Sequence, residues 1–206
     1  MTLDWLITDK TIALHRDRKG HPIRMPVSDG ILRLIDQRVS SGDTTLETGA
    51  GLSTVAFVAK GAKHTAICPD KSLGQRIRDF CEGKAIDHAG LSYHAVFSQD
   101  ILHSISGEYS FALIDGSHSF PDVFVDFFYI NSLLGVNGVI VVDDTWIWTG
   151  EVLSKYLASE PEWRVVHQDI KSAAFQKITQ TEKYKDFDRQ KFVIMNSTQL
   201  YFNRLE

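Results

Sequence analysis

The sequence predicts a doubly wound α/β domain in which seven strands form one mostly parallel sheet and the last strand runs antiparallel. Two observations carry this expectation. From about Thr44 onward, short apolar runs alternate with helical stretches, the rhythm of parallel strands joined by crossover helices. The length of 206 residues suits one domain with a single sizeable core and some peripheral decoration.

The apolar runs place strands at residues 44–48, 64–69, 92–97, 111–115, 138–143, 164–168 and 191–196. Helices fill the intervals at 53–59, 73–82, 121–134 and 151–159. The third is the clearest, because Pro121 suits a first helical turn and Phe124, Phe127, Phe128 and Leu134 recur at near-helical spacing. A further helix at 28–39 precedes the first strand, with Ser28 as its N-cap and Ile31, Leu34, Ile35 and Val39 on one face. Residues 28–206 thus make the core, and residues 1–27 form an arm. The arm carries the basic cluster His15, Arg16, Arg18, Lys19, His21 and Arg24, which reads as a solvated surface or, functionally, as a lid. The polar stretch 171–189 is expected to be a mobile loop.

With 43% hydrophobic and 23% charged residues, disordered, collagen-like and membrane classes have little support. A formal charge of -4 gives no basic footprint for nucleic acid, so a small-molecule substrate is favoured. Cys68 and Cys81 are too few for a disulfide framework and are expected to stay reduced. The first residues lack a signal-peptide apolar region, and no run approaches the roughly 18 apolar residues of a membrane span, so the cytoplasm is the expected location.

The segment Glu47-Thr48-Gly49-Ala50-Gly51-Leu52-Ser53-Thr54 follows a strand and opens a helix, the place where a nucleotide-like ligand meets such a sheet. Gly49 and Gly51 allow a sharp turn and close approach of backbone to ligand. Asp70 stands at the next strand end, 21 residues after Gly49, where an acid accepts from ribose hydroxyls. That spacing also suits NAD. Two residues separate the readings. Thr54 occupies the position of the third glycine in a dinucleotide fingerprint, and Glu47 would repel a pyrophosphate but tolerates the sulfonium and ammonium groups of S-adenosylmethionine. The fourth and fifth strands run into Asp115-Gly116-Ser117-His118 and Asp143-Asp144-Thr145. In a parallel sheet these carboxyl ends converge on one crevice. Three carboxylates gathered there call for a positive charge between them, and oxygen ligands with a single histidine favour Mg²⁺ over zinc. His118 titrates near neutral pH as a residue type, as a general base must.

The acid-x-Gly-x-Gly loop at Glu47 to Gly51 resembles that of the class I methyltransferases, which have a Rossmann-like sheet. The resemblance implies that the loop holds the methionine end of S-adenosylmethionine, with Ser53 and Thr54 at the helix start, and that Asp70 holds the ribose. It further implies that Asp100, or its rival Gln99, reaches the adenine amino group; capping the next helix is the alternative role for Asp100. The Asp-Gly-x-His and Asp-Asp motifs resemble the metal-dependent sugar O-methyltransferases of the macrocin and mycinamicin type. That likeness covers about residues 47 to 144 and implies Asp115, Asp143 and Asp144 as Mg²⁺ ligands, Asp115 also beside the cofactor, with His118 as the base. The expected reaction is methyl transfer to a hydroxyl of a small molecule, a sugar or another hydroxylated metabolite, in a pocket walled by Trp146, Trp148 or Phe120. A homo-oligomer would supply the cover that so short a chain lacks. The alternatives are an NAD-dependent oxidoreductase and a noncatalytic S-adenosylmethionine-binding protein.

Overall fold

Residues 2–182 and 184–197 are described by the structure, a computed structural model. The arm comes first: helix α1 (Asp4–Thr8) and a small hairpin of β1 (His15–Arg16) and β2 (Pro22–Ile23). There follow α2 (Asp29–Arg38), β3 (Thr44–Thr48), α3 (Leu52–Ala59), β4 (Lys63–Ile67), α4 (Lys71–Gly83), β5 (Leu91–His94), α5 (Ser98–Ile101) and β6 (Tyr109–Ile114). The chain continues through α6 (Asp122–Leu133), β7 (Leu134–Val142), α7 (Trp148–Ser159), β8 (Trp163–Gln168), β9 (Ala173–Lys177) and α8 (Lys191–Asn196). Seven strands form one sheet in the order β5-β4-β3-β6-β7-β9-β8, and β9 alone runs against its neighbours.

Alternation along the central strands sends side chains to opposite faces. Leu46, Ala112, Ile114, Ile140 and Val142 pack under α6 and α7 with Val123, Ile130, Leu153 and Leu157. Phe111, Leu113, Val139 and Val141 pack under α2 and α3 with Ile31, Ile35, Val55 and Phe57. The Ser28 hydroxyl accepts from the Ile31 N–H at 3.2 Å, so α2 is capped as its sequence requires. In α6 the buried face is Val123, Asp126 and Ile130, whereas Phe128 is exposed and Phe124 and Phe127 only partly covered.

Two expectations need correction. Residues 191–196 form α8 and not a strand; the seventh strand is β9, inside the stretch read as a mobile loop. Every residue of β9 is buried between β7 and β8. Its polar end disguises it, because Lys177 donates from its buried ammonium to the carbonyls of Asn131 and Leu134, each at 2.8 Å, and so caps the C-terminal end of α6. The arm is likewise not a solvated appendage. Leu3, Leu6, Ile7, Ile12, Leu14 and Val27 are buried in the same cluster as α2 and α3, while the hairpin tip around Arg18 and Lys19 is exposed. Among the described residues, no helix is long and apolar enough to cross a membrane.

Candidate active site

The carboxyl ends of β3, β4 and β6 open on a cavity of about 630 Å³. Its floor is the turn after β3. Gly49 has φ +93°, a left-handed conformation, and a Cβ there would collide with the Asp115 carbonyl. The Gly49 N–H donates to the Ile67 carbonyl at 2.9 Å, which pins the turn to β4. Beneath it lies Glu47, 1% exposed, accepting from Ser53 Oγ at 2.6 Å, from Thr54 Oγ1 and from His64 Nε2 at 3.0 Å. The Thr54 hydroxyl also accepts from the Gly51 N–H at 2.9 Å, and His64 Nδ1 meets Thr45 Oγ1 at 2.8 Å. The His64 ring stacks on Phe57 with centroids 4.5 Å apart. Charge and turn are therefore fixed before any ligand arrives.

Opposite the turn, Asp115, His118 and Asp144 line the cavity and each offers a ligand atom within 4.8 Å of the others. His118 Nε2 lies 3.1 Å from Asp144 Oδ2 and 4.0 Å from Asp115 Oδ1. The Thr149 hydroxyl at the start of α7 donates to the His118 carbonyl at 2.6 Å and holds that loop. Asp144 adopts φ +48° and is further fixed by the Trp146 indole N–H, 2.7 Å from Oδ1. Burial first, and the Asp143 charge second, push the Asp115 carboxyl well above its ordinary pKa, with Lys171 opposing.

Lys171, in the turn between β8 and β9, is the cation of this cluster. Its ammonium donates to Asp143 Oδ2 at 2.6 Å and to the Pro26 carbonyl at 2.8 Å, and lies 3.5 Å from Asp144 Oδ1. Asp143 also accepts from the Ser172 hydroxyl and is 1% exposed.

The chain from 46 to 145 matches a family model described as a methyltransferase domain. Residues 46–145 form a methyltransferase domain. The sheet is Rossmann-like, and β8 and the antiparallel β9 extend it beyond those residues. No curated protein sequence matches the chain. Among solved structures, a Staphylococcus aureus protein provisionally assigned as a caffeoyl-CoA O-methyltransferase is similar at 16% identity and TM-score 0.60, covering 76% of this chain and 85% of that one. An rRNA methylase from Streptococcus thermophilus is similar at 10% identity and TM-score 0.59, over 76% and 99% of the two chains. The Podospora anserina methyltransferase PaMTH1, solved with S-adenosylhomocysteine, is similar at 15% identity and TM-score 0.53, over 66% and 72%. At these identities the likeness is one of fold.

Within the methyltransferase domain, the structure brings Gly49, Ala50, Gln99, Asp115, His118 and Asp144 to the cavity wall. The other expected residues stand elsewhere around it. Glu47, Ser53 and Thr54 lie behind the floor as its support, because they satisfy one another and His64; the Glu47 charge is still felt by Asp115 and His15. Thr48 packs its side chain under Gly116, and Gly51 faces the His15 ring. Asp143 lies outside the converging donor atoms of Asp115, His118 and Asp144, and its carboxylate accepts from Lys171 and Ser172. Asp100 is exposed in the first turn of α5, which Phe97 precedes as N-cap, so capping does not fall to it. Gln99 lines the cavity with a buried Nε2 that has no partner among the described residues. Asp70 caps α4 through the Leu73 N–H at 3.0 Å and binds the Arg76 guanidinium at 2.9 Å; partial burial resists, yet these partners lower its pKa. Its neighbours Cys68 and Pro69 line the cavity. Of the aromatic walls, Trp146 lines the cavity, while Trp148 and Phe120 stand exposed outside its lining.

Sequence reasoning missed Ser98, Phe97 and Lys171, and saw His15 and Arg24 only as members of a basic cluster. Ser98 directly precedes Gln99 and could have been found with it. Lys171 carries no local signal, since only the β8–β9 turn brings it to the acids.

Proposed function

We propose that the protein transfers a methyl group from S-adenosylmethionine to a hydroxyl oxygen of a small hydroxylated metabolite, with Mg²⁺ in the acid cluster. The observation that carries this reading is the pairing of His118 with Asp144 at 3.1 Å on the wall of the same cavity whose floor is the Gly49-Ala50 turn. A base therefore faces the place where the methyl donor would lie.

His118 is the group that takes the hydroxyl proton, at the ring nitrogen that does not face Asp144. Asp144 orients the ring and stabilises the imidazolium that forms, while Thr149 fixes the backbone that carries it. Gln99 offers an amide to the adenine end, and Gly49 lets the main chain approach the methionine end. The convergent donor atoms of Asp115, His118 and Asp144 suit a divalent ion. Asp115 and Asp144 would hold it, leaving His118 as the base. When bound, the ion lowers the pKa of a coordinated hydroxyl. Asp143 acts behind them through its ion pair with Lys171. The net charge of -4 supports a small-molecule acceptor over rRNA, which needs a basic footprint. Location in the cytoplasm and assembly as a homo-oligomer belong to the same proposal.

The test is a methyl-transfer assay with labelled S-adenosylmethionine and a panel of hydroxylated compounds, with and without Mg²⁺. An acceptor found for the wild-type chain should lose about 10²–10⁴-fold in turnover in His118→Ala, at unchanged stability. Full activity of that variant would remove His118 from the reaction, and transfer only to RNA would overturn the acceptor class.

A further inference from the structure

We propose that Arg24, held over the glycine turn by the N-terminal arm, is the carboxylate receptor of the cavity, and that the carboxylate it takes is the α-carboxylate at the methionine end of the cofactor. This rests on the reading of S-adenosylmethionine as methyl donor.

Arg24 lines the main cavity and also a small side cavity enclosed by the arm and Leu52, the first residue of α3. Its Nε and Nη2 atoms are buried, and among the described residues neither finds an acceptor. A buried guanidinium N–H without a partner is rare in a folded protein, because its desolvation is uncompensated. The neighbouring groups do not supply the missing anion. The acids of the cavity, Asp115 and Asp144, are grouped with His118, and Asp143 is taken by Lys171. Asp9, an acid whose charge reaches Arg24, is already bonded to Thr11.

The other cations around the cavity are committed. Lys171 is engaged by Asp143 and Pro26. His15 packs against Gly51, and burial together with the Arg76 charge lowers its pKa, so it is neutral near pH 7. Arg24 is thus the cavity cation left to meet an anionic group. Its position is firm on both sides. Arg76 Nε donates to the Leu14 carbonyl at 2.6 Å, and Lys171 donates to the Pro26 carbonyl at 2.8 Å. A planar guanidinium presents paired N–H groups that match a carboxylate.

A carboxylate could belong to the cofactor or to the acceptor. Position favours the cofactor: Arg24 shares its side cavity with His15 and Leu52 at the glycine turn, whereas the acceptor end is marked by His118 and Asp144 across the cavity.

The test is calorimetric titration of the full chain with S-adenosylhomocysteine and with its decarboxylated analogue, which keeps the amine but has hydrogen in place of the carboxylate. The wild-type chain should bind the first at least about tenfold more tightly, as expected for a charge-assisted bidentate pair. Arg24→Gln should abolish that preference, weakening S-adenosylhomocysteine while leaving the analogue within about twofold, and Arg24→Lys should fall between. Equal affinity of the wild-type chain for both ligands would overturn the proposal even if the glutamine variant failed to fold. So would an unchanged preference in Arg24→Gln, which would send the guanidinium to an acceptor carboxylate, or an equal loss for both ligands, which would make Arg24 structural. Binding of neither ligand by the wild-type chain would contradict the cofactor reading itself, and the proposal with it.

Discussion

The two walls of the cavity solve opposite problems. On the floor, Glu47 is buried and saturated: Ser53, Thr54 and His64 meet its carboxylate, and His64 in turn meets Thr45. Across from it, Asp115, Asp143 and Asp144 crowd together with one lysine, Asp144 sits at φ +48°, and burial with the Asp143 charge pushes the Asp115 carboxyl well above its ordinary pKa. The floor is organised for stability and the opposite wall for chemistry, which is where strain and shifted pKa values gather. Removing charge from the floor should therefore unfold the protein, whereas removing it from the opposite wall should stop turnover.

The sharpest way to break this contrast is Glu47→Ala. It leaves two hydroxyls and the His64 N–H unpaired in the interior, and should cost about 3–5 kcal/mol in urea unfolding, as when one partner of a buried charged pair is removed. A loss below about 1 kcal/mol would mean that the floor is not held by Glu47.

A smaller effect is expected at Asp126, fully buried in α6 beneath the cavity. Its oxygens make no hydrogen bond of good geometry, and burial lifts its pKa to about 6 against the pull of the nearby Ser98 and Thr48 hydroxyls. A folded-state pKa raised above the unfolded value near 3.8 means stability that is present below about pH 4 and lost as pH rises through about 6. Asp126→Asn should remove that pH dependence and raise stability at pH 7 by on the order of 2 kcal/mol. Equal slopes of stability against pH for variant and wild type would show that Asp126 titrates as it does in the unfolded chain.

Least affected should be the variant Asp70→Ala, which removes an N-cap and a partly exposed ion pair with Arg76 and should cost about 1 kcal/mol. A loss of affinity for S-adenosylhomocysteine beyond that for 5′-methylthioadenosine would be surprising, since both carry the ribose.

The contrast also marks what the sequence could reveal. The strand that ends at Thr48, the glycine turn and the Ser28 cap follow from local rules, and they stand where those rules put them. Asp115, His118 and Asp144 were legible because parallel topology gathers strand ends at one edge. The partners of the Glu47 side chain were not legible, because identity and position along a strand do not reveal which buried groups will claim it. The same limit hid β9, where Lys177 and Gln176 look solvated until the carbonyls of Asn131, Leu134 and Asn137 are brought beside them. The pairing of Asp143 with Lys171 was equally hidden, for the lysine reaches it only through the fold.

Both walls are claimed to serve one ligand, S-adenosylmethionine, and the most direct measurement is calorimetric titration of the full chain with S-adenosylhomocysteine, run beside NAD. Saturable one-to-one binding of S-adenosylhomocysteine with no heat from NAD is the predicted result. No binding of S-adenosylhomocysteine at millimolar concentration, or tighter binding of NAD, would contradict it.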